Sequence, residues 1–284
     1  GQTSLKELLL SARPFSWINT AAVVVVAAWI SGEGFSVSAL LTTLYFTLPY
    51  NLLLYGINDV YDYPSDAKNP RKNGIEGGLL PPRAHKMLCF VAALLNLPFL
   101  VFFVATGSTL ARIVYGALML TTFAYSVPPL RLKEVPVLDA VISATHFVGP
   151  FIFALTFFRS STYPLLDIAA FFCWCMASQM LGAIQDITVD KQVGMKSCAT
   201  ALGATGTGIV TWFLYVACVA LVIAQGGALR LIAAALLTLY VINVSIFLLK
   251  PSELAGRASW RTWMYLNYVV GLGLSIVLII AGVA

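Results

Sequence analysis

Residues 36–66 read SVSALLTTLYFTLPYNLLLYGINDVYDYPSD, an apolar run that ends in a cluster of carboxylates. Residues 36–57 are long and apolar enough to cross a bilayer as one helix, which takes about 20 residues. An ionisable side chain at membrane depth costs about 2.5–3.5 kcal/mol on insertion scales, so it marks a functional site by default. This stretch therefore predicts a membrane helix that carries a polar site at its end.

The composition extends this interpretation to the whole chain of 284 residues. Hydrophobic residues make up 60% and charged residues only 10%, whereas a soluble domain has about 25% charged residues. The net charge is +5, and the basic residues lie in short loops between apolar runs. This distribution indicates membrane topology rather than nucleic-acid binding. The five cysteines form no CxxC pair, and packing is the favoured role for them. We predict an all-α polytopic membrane protein.

Nine apolar stretches are long enough to span a membrane. They predict a single transmembrane domain, 1–284, with about nine helices. The predicted spans are 15–31, 36–57, 87–106, 109–126, 136–158, 164–185, 206–225, 228–249 and 261–283.

The distribution of basic residues supports this count and predicts an orientation. If the loops alternate sides, all but three of the 17 Lys and Arg residues lie on the side of the N-terminus; the exceptions are Arg112, Arg159 and Arg230. Cytoplasmic loops carry an excess of Lys and Arg. We therefore predict a plasma-membrane protein whose acidic clusters face the cytoplasm.

The spacing of the acidic residues predicts a metal site. Asn58, Asp62 and Asp66 follow one another at four-residue intervals, and Asp186 and Asp190 repeat that spacing after the sixth predicted span. Helical residues four apart share a face. Carboxylates gathered in this way would repel each other unless a hard cation such as Mg²⁺ lies between them. Because Pro64 removes a helical hydrogen bond, we expect Asp66 at a kinked or unwound helix end. The alternative for either cluster alone is a solvated helix end.

Basic residues close to both clusters suit a ligand that carries phosphate groups. The alternative for any one of them is that it only sets the membrane topology. The candidates for binding a diphosphate are Lys68, Arg71, Lys72, Arg131, Lys133 and Lys191.

These motifs resemble the two signatures of the UbiA superfamily of intramembrane prenyltransferases. Asn58-x-x-x-Asp62-x-x-x-Asp66 and Asp186-x-x-x-Asp190 match the signatures, and they follow predicted spans 2 and 6 of nine as in the family. The segment from Tyr125 to Lys133, YSVPPLRLK, resembles the Tyr-Ser-x-Pro-Pro-x-x-x-Lys segment of the family. Arg13-Pro14 resembles the Arg-Pro dipeptide that opens the first helix in many members. The resemblance covers the whole chain and implies a UbiA-type helical bundle.

The resemblance implies transfer of an isoprenyl group from an allylic diphosphate to a lipophilic acceptor, with Mg²⁺ as cofactor. The catalytic set would be Asp62, Asp66, Asp186, Asp190 and Tyr125, and Asn58 would join the four Asp residues as metal ligands. Aromatic faces stabilise cations, and Tyr125 is the first candidate for this role, although packing is the alternative for any aromatic residue. The candidates for the substrate pocket are Arg13, Asn51, Tyr55, Tyr61, His146 and Phe147.

Within the superfamily, the sequence looks most like the bacterial lycopene elongases, which make C50 carotenoids. The similar stretches are 69–80 (NPRKNGIEGGLL), 133–139 (KEVPVLD) and 143–147 (SATHF). The resemblance implies dimethylallyl diphosphate as the donor and a linear carotene such as lycopene as the acceptor. His146 could take a proton from the product, or it could be a packing residue.

Two other functions remain open. A UbiA-type enzyme could prenylate an aromatic ring or a quinone precursor instead of a carotene. A cation-coupled transporter also uses intramembrane carboxylates, but these usually lie near the midplane. The predicted clusters lie at helix ends on one side, which favours the enzyme. The lipid bilayer is the expected environment, and a rod-like acceptor would have to enter from it sideways.

Overall fold

The computed structural model describes residues 5–72 and 79–283. Within these ranges the chain consists of helices, turns and loops, without a β-strand, which confirms the all-α prediction. The α-helices of the described ranges are α1 (Leu5–Ser11), α2 (Val23–Ile30), α3 (Val37–Tyr45), α4 (Leu48–Asp66), α5 (Pro82–Thr106), α6 (Thr109–Ser126), α7 (Leu138–Phe157), α8 (Leu165–Ile184), α9 (Ile187–Gln192), α10 (Cys198–Ile223), α11 (Ala228–Leu249) and α12 (Glu253–Val283).

Seven helical segments of the described ranges are long and apolar enough to cross a membrane, or eight if the bent N-terminal pair counts as one span. The nine predicted spans each coincide with one of these segments, except 109–126, which corresponds to α6. Arg112 and several hydroxyl side chains make α6 less apolar than the others. The protein is an integral membrane protein, and the count of nine spans is approximate.

The chain folds as two compact units. Unit 1 comprises Gly1–Arg131 and Gly149–Thr162, and unit 2 comprises Leu132–Val148 and Tyr163–Ala284. The first acidic cluster therefore belongs to unit 1 and the second to unit 2. The description of residues 1–284 as a single domain stays a prediction.

In unit 1, α4 packs against α1 and α5 through small and branched side chains such as Ala12, Leu52 and Ala84. Gly56 brings α4 and α5 close together, because a Cβ atom at this position would lie only 2.7 Å from a methyl carbon of Leu88. This packing fixes the end of α4 that bears the first acidic cluster.

The N-terminal span is broken. The axis of the span bends by 55° between Leu5–Ser16 and Ile18–Ile30. Four residues before the break, Arg13 has a φ of 47°, in the left-handed region, and Pro14 follows it. Non-glycine residues rarely adopt this conformation and do so mainly where other contacts compensate for the strain. The break directs Arg13 towards the interior of unit 1.

Helix α4 continues to Asp66 even though Pro64 lies inside it. Of the predicted kinked or unwound end at Asp66, the unwound form is wrong, because Asp66 is still helical, and a kink at Pro64 stays a prediction. Pro64 has no N–H, so this turn of α4 lacks one helical hydrogen bond. The Ser65 hydroxyl donates to the backbone oxygen of Asp62 at 2.8 Å, and this bond supports the last turn.

Candidate active site

Helix α4 presents the first acidic cluster near its C-terminal end. Asn58, Asp62 and Asp66 share one face, since residues four apart on a helix lie about 6 Å apart along its axis. Asp62 and Asp66 are only 4% and 8% exposed. A buried carboxylate is costly unless a cation or hydrogen-bond donors compensate for it. The contacts of these side chains therefore show what the site can hold.

Arg131 pairs with Asp62. Its Nη2 atom lies 3.1 Å from Asp62 Oδ1, and Nη1 donates to the backbone oxygen of Ser126 at 3.2 Å. Arg131 has a φ of 35°, a conformation that costs of order 1–3 kcal/mol in a non-glycine residue. The strain persists because the loop that follows α6 holds the guanidinium beside the acidic face.

Asp66 pairs with the loop that follows α4. Lys72 Nζ lies 3.4 Å from Asp66 Oδ1. The Asn69 side chain accepts a hydrogen bond from the backbone N–H of Arg71 at 3.0 Å and so shapes this turn. Lys68 is exposed and Arg71 half-buried. Residues Asn73–Gly78, the central part of the stretch that resembles lycopene elongases, lie outside the described residues.

The end of α6 supplies a further partner for the acidic face. The Ser126 hydroxyl donates to Asn58 Oδ1 at 3.0 Å. Tyr125, the first candidate for cation stabilisation, precedes Ser126 and is half-buried. The contact fixes the orientation of the Asn58 amide, with the oxygen towards Ser126. Sequence reasoning missed Ser126, although it belongs to the quoted YSVPPLRLK segment.

Asp59, also on α4, pairs with Arg13 of the N-terminal span. Its carboxylate is buried and accepts a hydrogen bond from Arg13 at 2.8 Å. The Arg13 guanidinium also lies 4.4 Å from the centre of the Tyr55 ring, a distance at which a cation–π interaction is favourable. This group ties the broken N-terminal span to α4. One face of Tyr55 is therefore occupied by Arg13, while Tyr61 is largely exposed.

The structure places Asn51, a predicted pocket residue, in the packed interior of unit 1. It is completely buried, and its amide nitrogen donates to Thr20 Oγ1 at 3.0 Å and to the backbone oxygens of Phe46 and Thr47. These bonds join α4 to the N-terminal span. A direct contact between Asn51 and a substrate stays a prediction.

The second acidic cluster lies in unit 2, at a break between α8 and α9. Asp186 is the N-cap residue of α9, and its backbone oxygen accepts from the N–H of Asp190 at 2.8 Å. The two residues are thus one helical turn apart, as the spacing predicts, and both are half-buried. Lys191 follows and is exposed.

The other candidates of unit 2 lie on α7 and on the loop before it. Lys133 belongs to a short 3₁₀ helix, Leu132–Glu134. The first turn of α7 is anchored to the start of α10, where the Cys198 N–H donates to Asp139 at 3.0 Å. His146 is buried and Phe147 half-buried.

The donor atoms of both clusters fit Mg²⁺. Within residues 5–72 and 79–283, no three His, Cys, Asp or Glu side chains are grouped so that they could hold a metal ion. Mg²⁺ does not need such a cage, because it usually binds one or two carboxylates together with phosphate oxygens and water. Each cluster offers two carboxylates, and Asn58 adds an amide group. In unit 1, Arg131 and Lys72 lie beside Asp62 and Asp66. They compensate the negative charge of these carboxylates, as a bound divalent cation would.

Comparisons with known proteins agree with this chemistry. A model of the UbiA prenyltransferase family matches residues 20–269. A protein of Corynebacterium glutamicum named lycopene elongase/hydratase is 38% identical over 279 residues, which make up 97% of each chain. A protein of the same name from Halobacterium salinarum is 34% identical over 275 residues, 93% of this chain and 94% of the other.

The fold also has a solved counterpart. The structure of a UbiA homolog from Archaeoglobus fulgidus bound to DMAPP and Mg²⁺ has a TM-score of 0.68 and 18% sequence identity. The similarity covers 93% of this chain and 98% of that one. At this level of identity it shows the fold alone.

Proposed function

This chain belongs to the UbiA prenyltransferase family, and from that premise we propose that it transfers a dimethylallyl group to the end of a linear carotene such as lycopene. The donor is dimethylallyl diphosphate, and the reaction depends on Mg²⁺. The enzyme works in the cell membrane, with its acidic clusters on the cytoplasmic side. The relatives named lycopene elongase/hydratase, at 38% and 34% identity over nearly the whole chain, support the carotene acceptor.

One observation carries the proposal for the donor. The buried acidic face of α4 is lined by cations that reach it from two loops, at 3.1 Å for Arg131 and 3.4 Å for Lys72. A diphosphate carries the opposite charge to these cations, and arginine suits its oxygens because of its planar fork of donors. The carboxylates and cations together form a site for an anion with its metal ions. Lys68 and Arg71 add positive charge on the same loop as Lys72.

The residues have distinct roles in the proposed reaction. Asn58, Asp62 and Asp66 would hold one Mg²⁺, and Asp186 and Asp190 would hold another. Bound Mg²⁺ neutralises charge that develops on the leaving diphosphate. With Mg²⁺ bound to the carboxylates, Arg131 and Lys72 would contact the diphosphate oxygens instead, and Lys133 and Lys191 are further candidates for this contact.

The bond changes balance without a redox partner. The C–O bond between the dimethylallyl group and the diphosphate breaks, and its electron pair leaves with the diphosphate. The terminal double bond of the carotene attacks the allylic cation and forms the new C–C bond. The resulting tertiary cation loses a proton to give an alkene, or it binds water and then loses a proton to give an alcohol.

The allylic cation in this scheme needs groups that stabilise its charge and surroundings that limit water. The half-buried ring of Tyr125 stabilises the allylic cation through its negative face, and the membrane helices limit the access of water that would quench it. An all-carbon acceptor needs no base to activate a phenol. His146, buried in α7, is the candidate to accept the proton at the end, and Phe147 beside it a candidate for contact with the carotene.

Expression in cells that accumulate lycopene, followed by mass spectrometry of the extracted pigment, tests the proposal. We expect a gain of one or two five-carbon units, with or without added water. Asp62→Asn and Asp186→Asn should abolish the gain, whereas Glu33→Gln should not, because Glu33 lies in the loop between α2 and α3, where its side chain accepts a hydrogen bond from Ser36. Unchanged lycopene in membranes that contain folded protein and dimethylallyl diphosphate would refute the carotene acceptor.

A further inference from the structure

One face of α12 packs along α8 in unit 2. On this face, Trp263 Nε1 donates to Ser178 Oγ at 2.9 Å. Two turns earlier, a Cβ atom at Gly256 would lie only 2.6 Å from Ile184 Cγ2. Glu253 precedes Gly256 by three residues, and residues three and seven apart on a helix share a face. The contacts therefore run along α12 towards Glu253, past the end of α8 and on to α9.

Glu253 binds α9 with both of its carboxylate oxygens. The backbone N–H of Thr188 donates to Oε1 at 2.7 Å, and the Thr188 hydroxyl donates to Oε2 at 2.5 Å. Hydrogen bonds to an ionised acceptor are about twice as strong as neutral ones. Because α9 has only six residues, it is too short to be stable by itself. Its orientation depends on contacts of this kind.

The contact also changes the role of Asp186. An Asp at the N-cap normally accepts a hydrogen bond from the second or third backbone N–H of its own helix. Thr188 is the second residue of α9, and its N–H is taken by Glu253, while the Asp186 side chain makes no capping bond. The Thr188 N–H, a usual capping partner for Asp186, is therefore bound by Glu253 instead.

We propose that Glu253 is a positioning residue for the second acidic cluster. By capping α9 from another helix, it fixes the turn that carries Asp186 and Asp190 and so holds both residues in the positions from which they would bind a divalent cation. Glu253 itself touches neither cation nor substrate in this scheme. The inference deepens the proposed function and rests on it for the identity of the cation.

Binding of Mn²⁺ to the purified full-length protein, measured by electron paramagnetic resonance with inorganic diphosphate present, tests the inference without turnover. Mn²⁺ accepts the same oxygen ligands as Mg²⁺. In Glu253→Ala the Asp186 carboxylate is drawn to the vacated N–H, and we expect about fivefold to tenfold weaker binding to this cluster. Glu253→Gln keeps an oxygen for the Thr188 N–H and should restore most of the affinity. Thr188→Val, which loses only the hydroxyl bond, should show a smaller loss.

Ser252→Ala is the matched control. It removes the Ser252 hydroxyl that caps α12 at the N–H of Ala255, at 3.0 Å, but leaves the contact with Thr188 in place. Its Mn²⁺ affinity should equal that of the unmodified protein. Thermal unfolding of all variants separates a change of affinity from a loss of folded protein.

The outcomes separate the two proposals. Unchanged Mn²⁺ affinity in both Glu253→Ala and Thr188→Val would overturn the positioning role, and so would an equal loss in Ser252→Ala. If Glu253→Ala does not fold, Thr188→Val against Thr188→Ser decides the question. If the unmodified protein binds no Mn²⁺ with diphosphate, the proposed metal-dependent function itself fails.

Discussion

The ion pair between Arg131 and Asp62 predicts that Arg131→Met changes Mg²⁺ affinity and turnover in opposite directions. In the structure, Arg131 Nη2 lies 3.1 Å from a carboxylate that is 4% exposed. Before Mg²⁺ can bind Asp62, this bond must be released. A hydrogen bond to a charged group contributes about 1.5–3 kcal/mol, which corresponds to about a ten- to hundredfold change in a binding constant.

Methionine has about the length of the arginine stem but no charge. Arg131→Met leaves Asp62 buried without this partner, so Mg²⁺ no longer competes with the guanidinium and should bind about ten- to hundredfold more tightly. Turnover should fall about 10²- to 10³-fold, as when one donor to a developing anion is removed. Without Mg²⁺ the variant should also unfold more easily, by about 3–5 kcal/mol for a broken buried pair.

Isothermal titration with Mg²⁺ and prenylation assays in detergent or nanodiscs measure the two quantities on the same preparation. Arg131→Lys keeps the charge and should show smaller effects of the same signs. Arg112→Met is the control, because Arg112 lies on α6 and its side chain donates to the backbone oxygen of Val104, not to a carboxylate of the acidic cluster. A parallel loss of Mg²⁺ affinity and turnover in Arg131→Met would refute the reasoning, since it would mean that Arg131 supports the metal instead of competing with it.

Three further predictions follow from the same geometry. Arg13→Met should destabilise the protein by about 3–5 kcal/mol, because it leaves the Asp59 carboxylate buried without its cation; thermal unfolding measures this, and Asp59→Asn in the same chain should restore part of the loss. Ser126→Ala should raise the Mg²⁺ concentration for half-maximal activity by about two- to tenfold, since it removes the bond of about 0.5–1.5 kcal/mol that orients Asn58; an unchanged value would contradict that role. Removal of divalent ions by EDTA should abolish prenyl transfer, and added Mg²⁺ should restore it; persistent activity would contradict a metal-dependent reaction.

Local patterns were sufficient for much of the candidate site. The four-residue spacing of Asn58, Asp62 and Asp66 predicts a shared helical face, and α4 provides it. Pro64 was expected to leave Asp66 at a kinked or unwound end, and the helix nevertheless continues to Asp66, because the loss of one hydrogen bond is not enough to unwind it. The sequence named both Arg131 and Lys133 as candidates for the diphosphate, and the structure places Arg131 beside Asp62.

Contacts between residues distant in sequence were beyond prediction. Arg13 and Asp59 are 46 residues apart, and Thr188 and Glu253 are 65 residues apart. Nothing in the spacing of either pair distinguishes its members from the other charged or polar residues of the chain. Such pairs arise only when helices pack side by side.

The sequence by itself determined the all-α membrane architecture, the approximate positions of its spans and the two acidic clusters. These features depend on short-range properties, because an apolar stretch of about 20 residues spans a bilayer whatever its neighbours are, and a helix repeats every 3.6 residues. Only the tertiary structure decided which cation meets which carboxylate, that Asp59 binds Arg13, and that Glu253 caps α9 in place of Asp186. These choices depend on side-chain directions across helix interfaces, where a shift of a few ångströms makes or breaks a hydrogen bond.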